Sequence, residues 1–122
     1  MAKEIKMDEC ETQDDIQKAI ETLSTSCQSY KIGKTGLKVS ERGEKPDYAD
    51  GYDYIRCLFS STSDTLISDL ESSYIDKFMD DPKNDNIKDG EQSEHDNMSE
   101  DADEYHLYVV WIKKSISFRK KQ

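Results

Sequence analysis

Between Met79 and Glu104 the chain carries eleven Asp and Glu, two Lys and almost no large apolar side chain. Such a stretch cannot bury enough surface to offset the entropy lost on ordering. It reads as a flexible, disordered acidic loop over residues 80–104, and it cuts the apolar material in two. Any core must therefore join residues 12–79 to a strand that returns at residues 105–118. With 122 residues, 34% hydrophobic and 36% charged, the chain supports one small domain. Residues 1–11 read as a polar, flexible N-terminus and residues 119–122 as a basic tail.

The net charge of −10 argues at first against a nucleic-acid ligand. Its distribution weakens that argument. The acidic stretch alone accounts for −9, whereas the last 18 residues hold five cations and no acid. The body is nearly neutral, so net charge does not exclude a phosphate ligand. Cys10, Cys27 and Cys57 form no C-x-x-C pair, and His95 and His106 are the only histidines. Free thiols in a reducing compartment are expected rather than zinc. The acidic loop lacks the spacing of a calcium-binding loop. No apolar run approaches the roughly 18 residues of a membrane span, and the N-terminus has no signal-peptide pattern. Residence in the cytoplasm or nucleus, with no membrane partner, is the expectation.

Thr12 sits where a helix N-cap belongs, with Asp15 three residues on. Ile16, Ala19, Ile20 and Leu23 follow at the spacing of one helix face, predicting a helix to about Leu23–Thr25. Gln28 to Lys34 reads as a short strand, punctuated by Gly33 and Gly36. Leu37, Val39 and Arg42 fit a short helix that Gly43 and Pro46 end, and 43–51 reads as a loop. Tyr52 to Phe59 is a clear strand. Under a period of two, Ile55, Cys57 and Phe59 share one face and Tyr54, Arg56 and Leu58 the other, as in a strand with neighbours on both sides. Thr62 or Ser63 caps a second helix, from Asp64 to Asp80, with Ile67, Leu70, Tyr74 and Phe78 as its buried stripe and Pro82 as its stop. Glu71 borders that stripe. Tyr105 to Ile112 is rich in β-branched and aromatic residues and predicts a strong strand. The fold class is α+β: a small three-stranded, mainly antiparallel sheet flanked by helices.

Tyr30-Lys31-Ile32-Gly33-Lys34-Thr35, Arg42 eleven residues after Lys31, and Glu71 on a later helix resemble the GIY-YIG nuclease superfamily, in its branch that writes KIG for YIG. Asn84 and Asn86, at +13 and +15 from Glu71, match the position of a further family asparagine. The likeness spans about residues 29–87. It implies a Mg²⁺-dependent endonuclease acting on nucleic acid. By resemblance, Glu71 holds one Mg²⁺ through a hard oxygen, Arg42 grips the scissile phosphate with its planar fork, and Lys31 stands by the water or the phosphate. Cleaving a phosphodiester needs such charge neutralisation around an activated water.

The family's first motif, Gly-Ile-Tyr with its tyrosine base, is missing. Its expected position lies near Glu21, inside the first predicted helix. Either the site is degenerate, a binding domain on a nuclease-like frame, or the strand from Tyr105 to Val110 fills the gap as a circular permutation would. In the second case Tyr108 is the candidate base. A different class stays open: a non-enzymatic acidic interaction protein (an inhibitor, immunity or anti-defence factor) whose acidic loop engages a basic protein surface.

Overall fold

The structure, a computed structural model, describes residues 2–86 and 102–114. The elements run β1 (Lys3–Glu4), α1 (Gln13–Ser26), β2 (Cys27–Thr35), α2 (Val39–Gly43), α3 (Pro46–Ala49), β3 (Tyr54–Ser61), α4 (Asp64–Lys77) and β4 (Tyr105–Lys113). They form a four-stranded mixed sheet in the order β1-β3-β4-β2. β4 is antiparallel to both β3 and β2, while β1 runs parallel to β3. The expected three-stranded, mainly antiparallel sheet is thus corrected to four strands with one parallel pair. The extra strand comes from residues that read as a frayed N-terminus. Ala2 is buried and its N–H bonds to the Gly43 carbonyl at 3.1 Å. The Ile5 and Cys10 N–H groups bond to the carbonyls of Ile55 and Leu58 at 2.8 Å each. Backbone groups, which polarity patterning does not see, hold this segment to β3.

Both predicted long helices begin at their expected caps. The Thr12 hydroxyl accepts from the Asp15 N–H at 3.1 Å, and the Ser63 hydroxyl accepts from the Leu66 N–H at 3.1 Å. Each replaces a partner that the first turn of a helix lacks. α1 and α4 cover one face of the sheet. There Ile16, Ile20, Tyr30, Ile32, Leu58, Ile67, Leu70, Tyr74, Leu107 and Val109 share a core. On the opposite face α2, α3 and Ala2 bury Val39, Tyr48, Ile55, Tyr108 and Val110. β3 has neighbours on both sides, as its two apolar faces predict. A register shift between Cys57 and Phe59 breaks its period of two. Ile55 and Cys57 therefore pack on the α2 face, whereas Phe59 packs with Leu58 on the α4 face.

α4 ends at Lys77, short of Asp80, and Pro82 falls in the turn beyond. Asp81 fixes that turn. One of its oxygens accepts from the Ser24 hydroxyl at 2.7 Å and from the Tyr30 hydroxyl at 2.8 Å. The following residues, read as part of the acidic loop, instead line the outer edge of β2. The Tyr30 N–H donates to the Lys83 carbonyl at 2.9 Å, and the Asp85 N–H to the Tyr30 carbonyl at 2.7 Å. The Asn86 side chain continues the pattern: its amide donates to the Ile32 carbonyl and its oxygen accepts from the Ile32 N–H, both at 2.9 Å. One carboxamide thus supplies both bonds of an absent strand and closes an edge that would otherwise be open. The remainder of the predicted acidic loop, 87–101, and the basic tail, 119–122, lie outside the described residues.

Candidate functional site

Alternation along β2 sends Tyr30 and Ile32 into the α1/α4 core and puts Lys31, Gly33 and Thr35 on the other face. Pairing across the sheet sets Tyr108 of β4 opposite Gly33. The Tyr108 ring lies across that glycine. A Cβ built on Gly33 would meet its Cζ at 2.5 Å and its Cε1 at 2.8 Å, with the hydroxyl oxygen closer still. Only a residue without a side chain leaves room for the phenol there. The Tyr108 hydroxyl shares a hydrogen bond of 2.7 Å with that of Tyr48, from α3, and the rings meet edge to face at 5.7 Å. Tyr108 is 2% exposed and Tyr48 3%.

Arg42, on α2, covers this pair. Its guanidinium carbon stands 4.0 Å from the centre of the Tyr48 ring and 6.0 Å from that of Tyr108. Asp47 takes the edge of the guanidinium in a two-pronged ion pair, at 2.9 and 2.8 Å. Lys31 reaches the same ring with its Nζ 5.9 Å from the centre. Two cations thus converge on one aromatic ring.

Burial opposes Arg42's charge, but the Asp47 bonds and the neighbouring phenols outweigh it and hold its pKa above the ordinary value. Asp47 is held below the usual carboxylate range, first by its bonds to Arg42. Tyr48 is pushed up by burial, against the Tyr108 bond and the Arg42 charge. Tyr108 is driven well above the ordinary phenol value, by burial first and then by Tyr48. Its proton stays in place across the physiological range. In the folded chain the protonated hydroxyl is a hydrogen-bonding group, joined to Tyr48.

Of the residues expected to act together, Lys31, Arg42 and Tyr108 do meet around one ring. Glu71 arrives from elsewhere. It is on α4, in one row with the buried Ile67 and Ile75, on the helix that packs the opposite face of the sheet. The sequence placed it at the border of the stripe; it is 6% exposed. Its charge nevertheless raises both tyrosines, which puts its carboxylate within electrostatic reach of the pair. Mg²⁺ keeps several waters and is commonly held by one or two carboxylates together with substrate phosphates, and Glu71 offers one such carboxylate. No group of three His, Cys, Asp or Glu suited to a metal occurs among the described residues.

Two participants escaped sequence reasoning. Tyr48 and Asp47 fall in a segment read as loop, where Lys45 and Pro46 in fact start a helical turn with the proline at its first position. A proline so placed is a helix-start signal and could have drawn notice to Tyr48. Among the described residues no helix is long and apolar enough to cross a membrane. The chain matches no known family model, no curated protein and no solved structure.

Proposed function

We propose that the chain is a GIY-YIG-like domain that binds nucleic-acid phosphodiesters and is catalytically degenerate as folded. The observation that carries this reading is the pairing of Gly33 with Tyr108. It brings a tyrosine hydroxyl from the C-terminal strand beside the KIG stretch and under Arg42, as a permuted order of the family's strands requires. Lys31 and Arg42 supply the cations. The segment from Lys31 to Tyr48 holds five cations and three acids, a locally basic patch on an acidic chain. Asp47 occupies the fork of Arg42 and, with a side chain 57% exposed, sits where an incoming phosphate could displace it. The missing Gly-Ile-Tyr motif and a Tyr108 that burial keeps protonated favour binding over hydrolysis.

The test is fluorescence anisotropy of labelled single- and double-stranded oligonucleotides, with cleavage followed on gels with and without Mg²⁺. Binding that falls at least tenfold in Arg42→Ala and in Lys31→Ala, without strand cleavage, supports the reading. Cleavage that needs Mg²⁺ and is lost in Glu71→Gln would replace it with the nuclease. Binding indifferent to both cation variants would leave the acidic interaction protein, favoured by the net charge of −10.

A further inference from the structure

On the opposite face of the sheet from Arg42, a groove of about 540 Å³ runs between α1 and the segment from Met7 to Glu11. Its floor is apolar: Leu23, Leu58, Val109 and Trp111 line it. Its ends differ in chemistry. Trp111 and Ser26 stand at the end where α1 meets the sheet, because Cys27, just after α1, pairs with Lys113 on β4. Glu11 and Asp15, on either side of the Thr12 cap, stand at the other end, with Asp8 between, beside Arg56. Glu9 is there too, engaged by the Ser60 hydroxyl at 3.0 Å. The groove's two cations are Lys18 and Arg56, and Arg56 is anchored through Nη2 to the Asp8 carbonyl at 3.1 Å.

We propose that this groove docks an extended basic segment of a partner protein, with two apolar side chains at alternate positions followed by a cluster of cations. Dimensions and charge set that pattern. From Asp15 to Ser26 a helix rises about 1.5 Å per residue, roughly 16 Å in all. An extended peptide covers that length with about five residues at about 3.3 Å each. Side chains two apart then fall on the same side, over the partly buried Trp111 and Ala19, and the cations reach the acids at the far end. Sequence of this type exists in the chain itself: Ser115-Ile116-Ser117-Phe118-Arg119-Lys120-Lys121-Gln122. Those residues lie outside the described residues, but their sequence makes a ready probe.

The experiment titrates the full-length chain with a dye-labelled free octapeptide of that sequence, read by anisotropy and by fluorescence of Trp111, the sole tryptophan. The expected result is saturable binding with a Trp111 response. It should weaken at least fivefold when Ile and Phe of the peptide become Ala, and at least fivefold in the protein variant Glu11→Lys/Asp15→Lys. A milder Asp8→Asn/Glu11→Gln variant, with its fold checked by circular dichroism, guards against loss of structure and should weaken binding in the same direction. Absence of binding, binding without a Trp111 response, or indifference to the peptide and protein changes overturns the proposal. So does binding that emerges only when Arg119, Lys120 and Lys121 of the full chain are changed to Glu, which would give the groove to the chain's own C-terminal residues.

Discussion

Gly33→Ala tests whether the tyrosine over β2 sets the identity of that position. A strand glycine replaced by alanine in open surroundings should stabilise by about 0.5–1 kcal/mol, through the lost freedom of the unfolded chain. Here the new methyl would stand 2.5 Å from Tyr108 Cζ and 2.8 Å from Cε1. Tyr108 cannot yield freely, being 2% exposed and bonded to Tyr48 at 2.7 Å. Forcing it aside costs about 1–3 kcal/mol of overpacking. Breaking the shared hydrogen bond adds about 1 kcal/mol. The net expectation is destabilisation by about 1–3 kcal/mol, or roughly 4–12 °C in Tm for a domain of this size. Urea unfolding followed by Trp111 fluorescence reads it. The decisive comparison is the double variant Gly33→Ala/Tyr108→Leu, whose shorter side chain vacates the space. Its loss should fall short of the sum of the two single losses by about 1 kcal/mol or more. Additivity within about 0.5 kcal/mol, or a neutral Gly33→Ala, would refute the packing argument.

Three further outcomes follow from other contacts. Asp47→Asn frees the fork of Arg42 and should tighten oligonucleotide binding about three- to tenfold in low salt, measured by anisotropy, with the gain shrinking as salt rises. Asn86→Ala strips both bonds from the buried Ile32 amide and should cost about 2–4 kcal/mol in urea unfolding, whereas an exposed loop asparagine would cost almost nothing. Burial pushes the Cys57 thiol up to about 11, so it is held neutral in the folded chain. Its contribution to stability is complete below its unfolded value, near about 8.5, and fades as pH rises through the folded one. Alkylation of Cys57 at pH 8 should accordingly run at least tenfold slower in the native protein than in urea, read by mass spectrometry of the modified peptide.

The long elements were legible because their signals are local. Caps at Thr12 and Ser63, the helical spacing of Ile16, Ile20 and Leu23, and the aromatic run of β4 each carry their own instruction. The missed pieces depend on backbone bonds or on distant partners. β1 is two residues of a polar segment held through main-chain groups, and no side-chain pattern announces it. Asn86 acts as a surrogate strand only because β2 lies beside it. At the candidate site, Arg42 and Lys31 were visible as residues, but the ring they share belongs to Tyr48, in a segment read as loop. The register of β4 against β2 is likewise long-range, and it decides that Tyr108 faces Gly33. Glu71 was legible as a residue at the border of the α4 stripe, but its burial in the row between Ile67 and Ile75 depends on how α4 packs on the sheet.

In the proposed phosphodiester-binding face, Arg42 and Lys31 meet the phosphate and the buried Tyr48–Tyr108 pair backs them. Two-dimensional NMR of the ¹⁵N-labelled full chain, titrated with a short oligonucleotide, maps the contact directly. Saturable shifts centred on the amides of Gly33, Arg42, Asp47 and Tyr48 are expected, and their loss in Arg42→Ala. Shifts centred on α1 and the Met7–Glu11 segment, or no shifts at millimolar oligonucleotide, would contradict the proposal.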